Sequence, residues 1–107
     1  MRTLIGLFAL LIIFAPAANA AEEIAVTIKD HKFSPDEIHV PAKKAVTLKV
    51  TNADPTPEEF ESHDFDVEKV IAGGQSAIIR LQPLDAGPYR FYGEYHEDTA
   101  QGVLVAE

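Results

Sequence analysis

Short runs in which apolar and polar side chains alternate recur from residue 24 to residue 105, and this period of two constrains the chain more than any other feature. Ile24-Ala-Val-Thr-Ile28 and Val46-Thr-Leu-Lys-Val50 place apolar side chains at every second position, the mark of a strand covered on one face. Ile38-His-Val40, Ala77 to Leu81, Tyr89 to Tyr95 and Val103 to Val105 extend the set, with β-branched and aromatic residues that fit a pleated, half-buried surface. Between them lie Pro41-Ala-Lys-Lys44, Asn52-Ala-Asp-Pro55, Gly73-Gly74 and Asp85-Ala-Gly-Pro88, whose residue types supply the backbone angles of turns. No segment sustains a helical period. The expected fold class is all-β, a β-sandwich of about seven to eight short strands.

The first twenty residues differ in kind. Met1-Arg2 carries positive charge, Leu4 to Phe14 is almost wholly apolar, and Ala18-Asn19-Ala20 is a small-x-small pattern, which together read as a secretory signal peptide over residues 1–20, cleaved after Ala20. The apolar run falls short of the ~20 residues of a membrane span, so the expectation is an exported, periplasmic domain over residues 21–107 with no membrane insertion after cleavage. The chain contains no cysteine. In an oxidising compartment packing alone must then hold the domain, and thiolate nucleophiles and thiolate metal ligands are excluded. Loss of Arg2 with the leader leaves eight basic residues against seventeen acids, a net charge of −9 with histidine neutral. Such a surface repels phosphate backbones, and without a basic stripe nucleic acid is not an expected partner. An acid excess suits cations, or serves solubility alone.

One segment breaks the rhythm. From Asp54 to Val70 prolines and acids mix with scattered apolar residues, which reads as a long connection with room for a strand near Phe65, pinned to the core by Phe60, Phe65 and Val67. Candidate ligands cluster here: Glu58, Glu59, Glu61 and His63, then Glu68, with Glu94 and His96 near the C-terminus. In an extended chain Glu59, Glu61 and His63 project to one side, and Glu94 and His96 share a side if the strand from Tyr89 runs on through Tyr95. Imidazole nitrogen with carboxylate oxygen is a ligand set for Cu(II), iron, manganese or zinc. Spacing alone is also satisfied by a solvated acidic face with histidines as chance neighbours, and both readings stand at this point. His31 reads as an exposed turn residue and His39 as the outward member of a strand, neither of them a ligand. A Gly-x-Ser-x-Gly elbow, a His-Glu-x-x-His pair and a phosphate-binding glycine loop are absent from the sequence, which leaves hydrolase and nucleotide readings without support.

The order of elements resembles a cupredoxin: Phe33-Ser-Pro, Ile38-His-Val-Pro-Ala, Val46 to Asn52, His63 before Asp-Phe, Gly87-Pro-Tyr-Arg-Phe-Tyr ahead of His96, and Gly102-Val-Leu-Val. The resemblance implies a Greek-key sandwich with a mononuclear copper at one end, and it puts His63 and His96 on the family's two histidine positions. Gly93 falls on the cysteine position and no methionine follows His96, so the fold carries over and blue-copper electron transfer does not. Thr56 to Asp64 and Phe91 to Gly102 are similar to small periplasmic cupredoxin-like proteins that accompany iron permeases, and also to the cupredoxin domain of periplasmic iron-uptake proteins, in which a Glu-aromatic-Glu segment stands where Glu59-Phe60-Glu61 stands here. That likeness implies copper and iron as bound metals, oxidation of Fe(II), and a membrane iron permease and other periplasmic components as partners. With Glu68 and Glu94 added from their positions in the sequence, the expected metal ligands are His63, His96, Glu59, Glu61, Glu68 and Glu94. A copper carrier without redox turnover and a metal-free interaction module are the alternatives.

Overall fold

Strand β1 (Glu22–Lys29) turns Val26 and Ile28 into the interior and leaves Ala25 and Lys29 outside, as its period requires. The computed structural model describes Gly6 and residues 22–107; the segment read as a leader otherwise lies outside the described residues. Nine strands form among them: β2 (Lys32–Ser34), β3 (Glu37–Val40), β4 (Val46–Asn52), β5 (Glu58–Ser62), β6 (Val67–Ile71), β7 (Ser76–Leu81), β8 (Gly87–Gly93) and β9 (Gln101–Ala106) follow β1. They divide into a four-stranded sheet in the order β2-β1-β4-β7 and a five-stranded sheet in the order β3-β9-β8-β5-β6. The pairs β1/β4 and β3/β9 are parallel and the others antiparallel. No helix among the described residues is long and apolar enough to cross a membrane.

The inward residues of the two sheets make one core, in which Leu48, Val50, Phe60 and Leu104 are wholly buried. Three rings lie at its centre. Phe33 meets Phe91 and Phe60 edge-on, at centroid distances of 4.9 and 5.8 Å, and Phe60 stacks on Phe91 at 5.2 Å. Each such pair adds about 0.5–1.5 kcal/mol beyond the area it buries.

Two departures from the sequence reading matter for the site. The segment expected as a long connection is a hairpin, β5 and β6, with Glu59 opposite Val70 and Glu61 opposite Glu68. Its period was hidden because the inward side of β5 carries Glu58, Phe60 and Ser62, one apolar residue in three, while β6 is an edge strand covered mainly at Ile71. The strand expected to run through Tyr95 stops at Gly93, and Glu94–His96 forms a single 3-10 turn. Glu94 and His96 therefore do not share a strand face.

Candidate metal centre

Alternation along β5 sends Glu59 and Glu61 to one face and Glu58, Phe60 and Ser62 to the other. Register places Glu68 across from Glu61, and the carboxylates of Glu59, Glu61 and Glu68 bring one oxygen each within 4.8 Å of one another. Glu59 is only 8% exposed although it points away from the core. Its carboxyl is pushed up to about 7, first by hydrogen bonding with Glu68, then by burial and by the charges of Glu68, Glu61 and Glu94. Burial likewise raises Glu94, with hydrogen bonding to Glu61 and the charges of Glu97 and Glu61 adding to it and His63 opposing. Tyr92, across from Glu61 on β8, hydrogen-bonds His63 Nε2 at 2.7 Å, and His63 lies 3.8 Å from Glu61. The result is a patch of crowded oxygen donors with one imidazole at its rim, short of positive charge.

A second cluster lies on the other face of β5. Glu58 is 1% exposed, a placement that is costly for a carboxylate unless it is fully hydrogen-bonded. Here it is: Oε1 accepts the backbone N–H groups of Glu59 and Tyr95 at 3.1 and 3.0 Å, and Oε2 pairs with His96 Nδ1 at 2.5 Å. The His96 ring stacks on His31, with centroids 3.4 Å apart and planes 13° from parallel. His31 shares with Asp30 the two-residue turn between β1 and β2, both at positive φ, 57° and 52°. Such a turn matches the strand twist, at a backbone cost for residues other than glycine. Asp54 offsets that cost by accepting the N–H groups of Asp30 and His31 at 2.8 and 3.0 Å. The His31 hydrogen bond in particular holds the Asp54 carboxyl below its usual range, against the effect of burial. Asn52 fixes Asp54 in turn, accepting its N–H at 3.1 Å while its amide donates to the carbonyls of Thr56 and Ile71.

Of the residues singled out in the sequence, Glu59, Glu61 and Glu68 come together, with Glu94 and His63 beside them. His96 does not join that group; its partners are Glu58 and His31. His39 is exposed on β3 between Glu37 and Glu107. His31, read as an exposed turn residue, is in a turn but packed beneath His96. The available signal was the pair Asp30-His31 between two strand-like runs, a two-residue hairpin loop that fixes where its second side chain goes.

Gly93 decides what the site excludes. A Cβ added there would stand 2.7 Å from Glu58 Cδ and 2.7 Å from Ala100 Cβ, closer than real side chains approach. Glu58 thus fills the space that a cysteine at position 93 would use, and the chain has no cysteine to offer. A blue-copper centre does not fit these residues.

A two-sheet β-sandwich with a carboxylate cluster on one face of β5, and on the other face Glu58 holding a histidine from the turn after β8, defines the class. The profile of the cupredoxin-like domain matches residues 2–106, and the chain belongs to that family. An uncharacterized protein of Rickettsia prowazekii (strain Madrid E), RP394, is 47% identical over 83 residues, 78% of this chain and 66% of that protein, so the chain spans just under two thirds of its relative's length. Among solved structures, the metal-binding domain of the Cu(I)-exporting P-type ATPase CopA of Streptococcus pneumoniae D39 superposes with a TM-score of 0.74 at 15% identity, over 83% of this chain and 88% of that one. Auracyanin A, a blue copper protein of Chloroflexus aurantiacus, gives 0.71 at 15% identity, over 82% of this chain and all of that one. Both likenesses establish the fold.

Proposed function

We propose that this chain is an exported, periplasmic metal-binding protein of iron uptake. It holds iron as cargo on Glu59, Glu61 and Glu68, with Glu94 and His63 at the rim, binds Cu(II) through imidazole, and hands iron to a membrane permease. The observation that carries the reading is the convergence of three carboxylates within 4.8 Å, crowded enough to raise Glu59 to about 7. Such crowding is relieved by a cation. Hard oxygen donors favour Fe(III) over Fe(II), so the cluster is suited to receive Fe(II) and to hold the Fe(III) formed when bound Cu(II) takes the electron and becomes Cu(I). The copper half draws support from the two solved structures of the same fold described above, both of which are copper proteins by name.

Iron and copper titrations of the wild type and of the double variant Glu59→Gln/Glu61→Gln test this. Glutamine keeps size and removes charge, so iron binding is expected to collapse while Cu(II) binding is largely kept. In aerated buffer, where dioxygen reoxidises the Cu(I) formed, copper-loaded wild type mixed with excess Fe(II) is expected to form Fe(III) faster than free Cu(II) does, and the double variant to lose most of that gain. Unchanged iron binding in the variant removes these acids from the function. A wild type that takes copper tightly and no iron is a copper carrier instead.

A further inference from the structure

We infer that Tyr92 is a further ligand at the carboxylate cluster, its phenol oxygen joining Glu59, Glu61 and Glu68 in a site that selects Fe(III) over Fe(II) and over Cu(II). The assignment rests on the cluster holding iron, and adds which oxidation state it prefers and through which residue.

Register puts the phenol there. Tyr92 on β8 stands opposite Glu61 on β5, and Glu61 opposite Glu68 on β6, so the three make one row across adjacent strands. Directly opposed residues share a face, with Cβ atoms about 4.5–5.5 Å apart. Alternation along β8 sends Phe91 into the core and Tyr92 to the outer face that also carries Glu59 and Glu61. The phenol oxygen lies 2.7 Å from His63 Nε2, and that nitrogen 3.8 Å from the Glu61 carboxylate. Burial, then the charges of Glu61 and Glu94, hold the phenol above its usual range, which marks how close those acids are. The other two tyrosines of the chain are engaged elsewhere: Tyr89 donates its hydroxyl to the Asp85 carbonyl at 2.8 Å, and Tyr95 is 48% exposed on the 3-10 turn.

A phenol adds a selectivity that another carboxylate would not. Free tyrosine titrates near pH ~10, so at neutral pH only a strongly polarising cation displaces its proton. A bound metal ion reverses the local preference for the protonated form, and Fe(III) does so more strongly than Fe(II) because its charge is higher. Tyrosine oxygen is a known ligand of iron in proteins. When Fe(III) binds, an iron–oxygen bond replaces the O–H bond and the proton passes to His63 Nε2, the atom already hydrogen-bonded to the phenol. Fe(II) stays on the carboxylates, and Cu(II) is better served by imidazole.

The experiment is the visible and resonance Raman spectrum of the protein loaded with Fe(III) from its nitrilotriacetate chelate, beside calorimetric titrations with Fe(III), with Fe(II) under argon and with Cu(II). Wild type is expected to show a phenolate-to-Fe(III) charge-transfer band, with tyrosine ring modes enhanced under it, and the Fe(II) form under argon to show neither. Tyr92→Phe removes one oxygen atom and keeps the ring. It is expected to lose the band and to bind Fe(III) more weakly by at least the about 10–100-fold of a lost outer partner, with Fe(II) and Cu(II) affinities little changed. Tyr89→Phe and Tyr95→Phe are expected to keep the band. Fe(III) bound by wild type without the band, or a band that survives Tyr92→Phe, would overturn the assignment and leave the iron reading in place. An equal loss of affinity for all three ions in Tyr92→Phe would reduce Tyr92 to a support for His63 and overturn it as well. A wild type that binds neither Fe(II) nor Fe(III) overturns both, and the titrations tell that outcome from the others.

Discussion

The carboxylate of Glu58 occupies the space that a side chain at Gly93 would need, with a Cβ there only 2.7 Å from Glu58 Cδ. The two positions are therefore energetically coupled. Gly93→Cys is expected to destabilise the protein by about 1–3 kcal/mol through overpacking. Glu58→Ala also destabilises, since it leaves two backbone N–H groups and His96 Nδ1 without their acceptor. Combined, they should cost less than their sum, because the alanine opens the room the cysteine lacks; residues in contact couple by about 0.5–3 kcal/mol. Urea denaturation of the four proteins measures this, and strict additivity would contradict the steric account.

Copper-loaded wild type is expected to lack the intense blue absorption of thiolate-bound Cu(II), because the sequence holds no cysteine. Its paramagnetic resonance spectrum should be that of an ordinary tetragonal nitrogen and oxygen site. A strong thiolate-to-copper band would refute the ligand assignment outright.

The metal-free protein should lose stability as pH rises from about 4.5 to about 7. Glu59 has a folded-state value near 7 against an ordinary value of 4.5, so in that window the native state binds more protons than the unfolded chain and stability falls with pH. Glu94 is shifted the same way. Asp54 is shifted down, so its contribution is present above its ordinary 3.8 and is lost only in stronger acid. Thermal unfolding with a chelator present should show the neutral-pH loss in the wild type and a flatter profile in Glu59→Gln. Identical profiles would mean that the carboxylates do not crowd one another.

Phe60→Ala should cost about 3–5 kcal/mol. Phe60 is fully buried and its ring meets Phe33, Phe65 and Phe91. Its backbone also spaces Glu59 from Glu61, so iron affinity should fall with the fold. Denaturation and an iron titration of the same variant check both effects, and a variant as stable as wild type would contradict the packing account.

The period of two in Ile24 to Ile28 and Val46 to Val50 was enough for the fold class, because which side of a strand is buried is written locally in its apolar residues. Strand β5 was not legible that way. Glu58 and Ser62 sit inward there, and only hydrogen bonds to distant groups, Tyr95 N–H and His96 for Glu58 and the Arg90 carbonyl for Ser62, make those positions tenable. Glu59 and Glu61 could be placed on one side from spacing, since residues two apart on a strand share a face. The partner of His96 could not be.

By itself the sequence determined an all-β sandwich, a surface of net negative charge and a site without thiolate, since these depend on composition and near-neighbour pattern alone. Only the tertiary structure decided that His96 meets His31 and not the carboxylate group beside His63. That choice rests on the early end of β8 at Gly93 and on Asp54 holding the Asp30-His31 turn. These contacts join turns from two different sheets across one end of the sandwich, and a repeat of apolar residues along a strand carries no information about which turns meet.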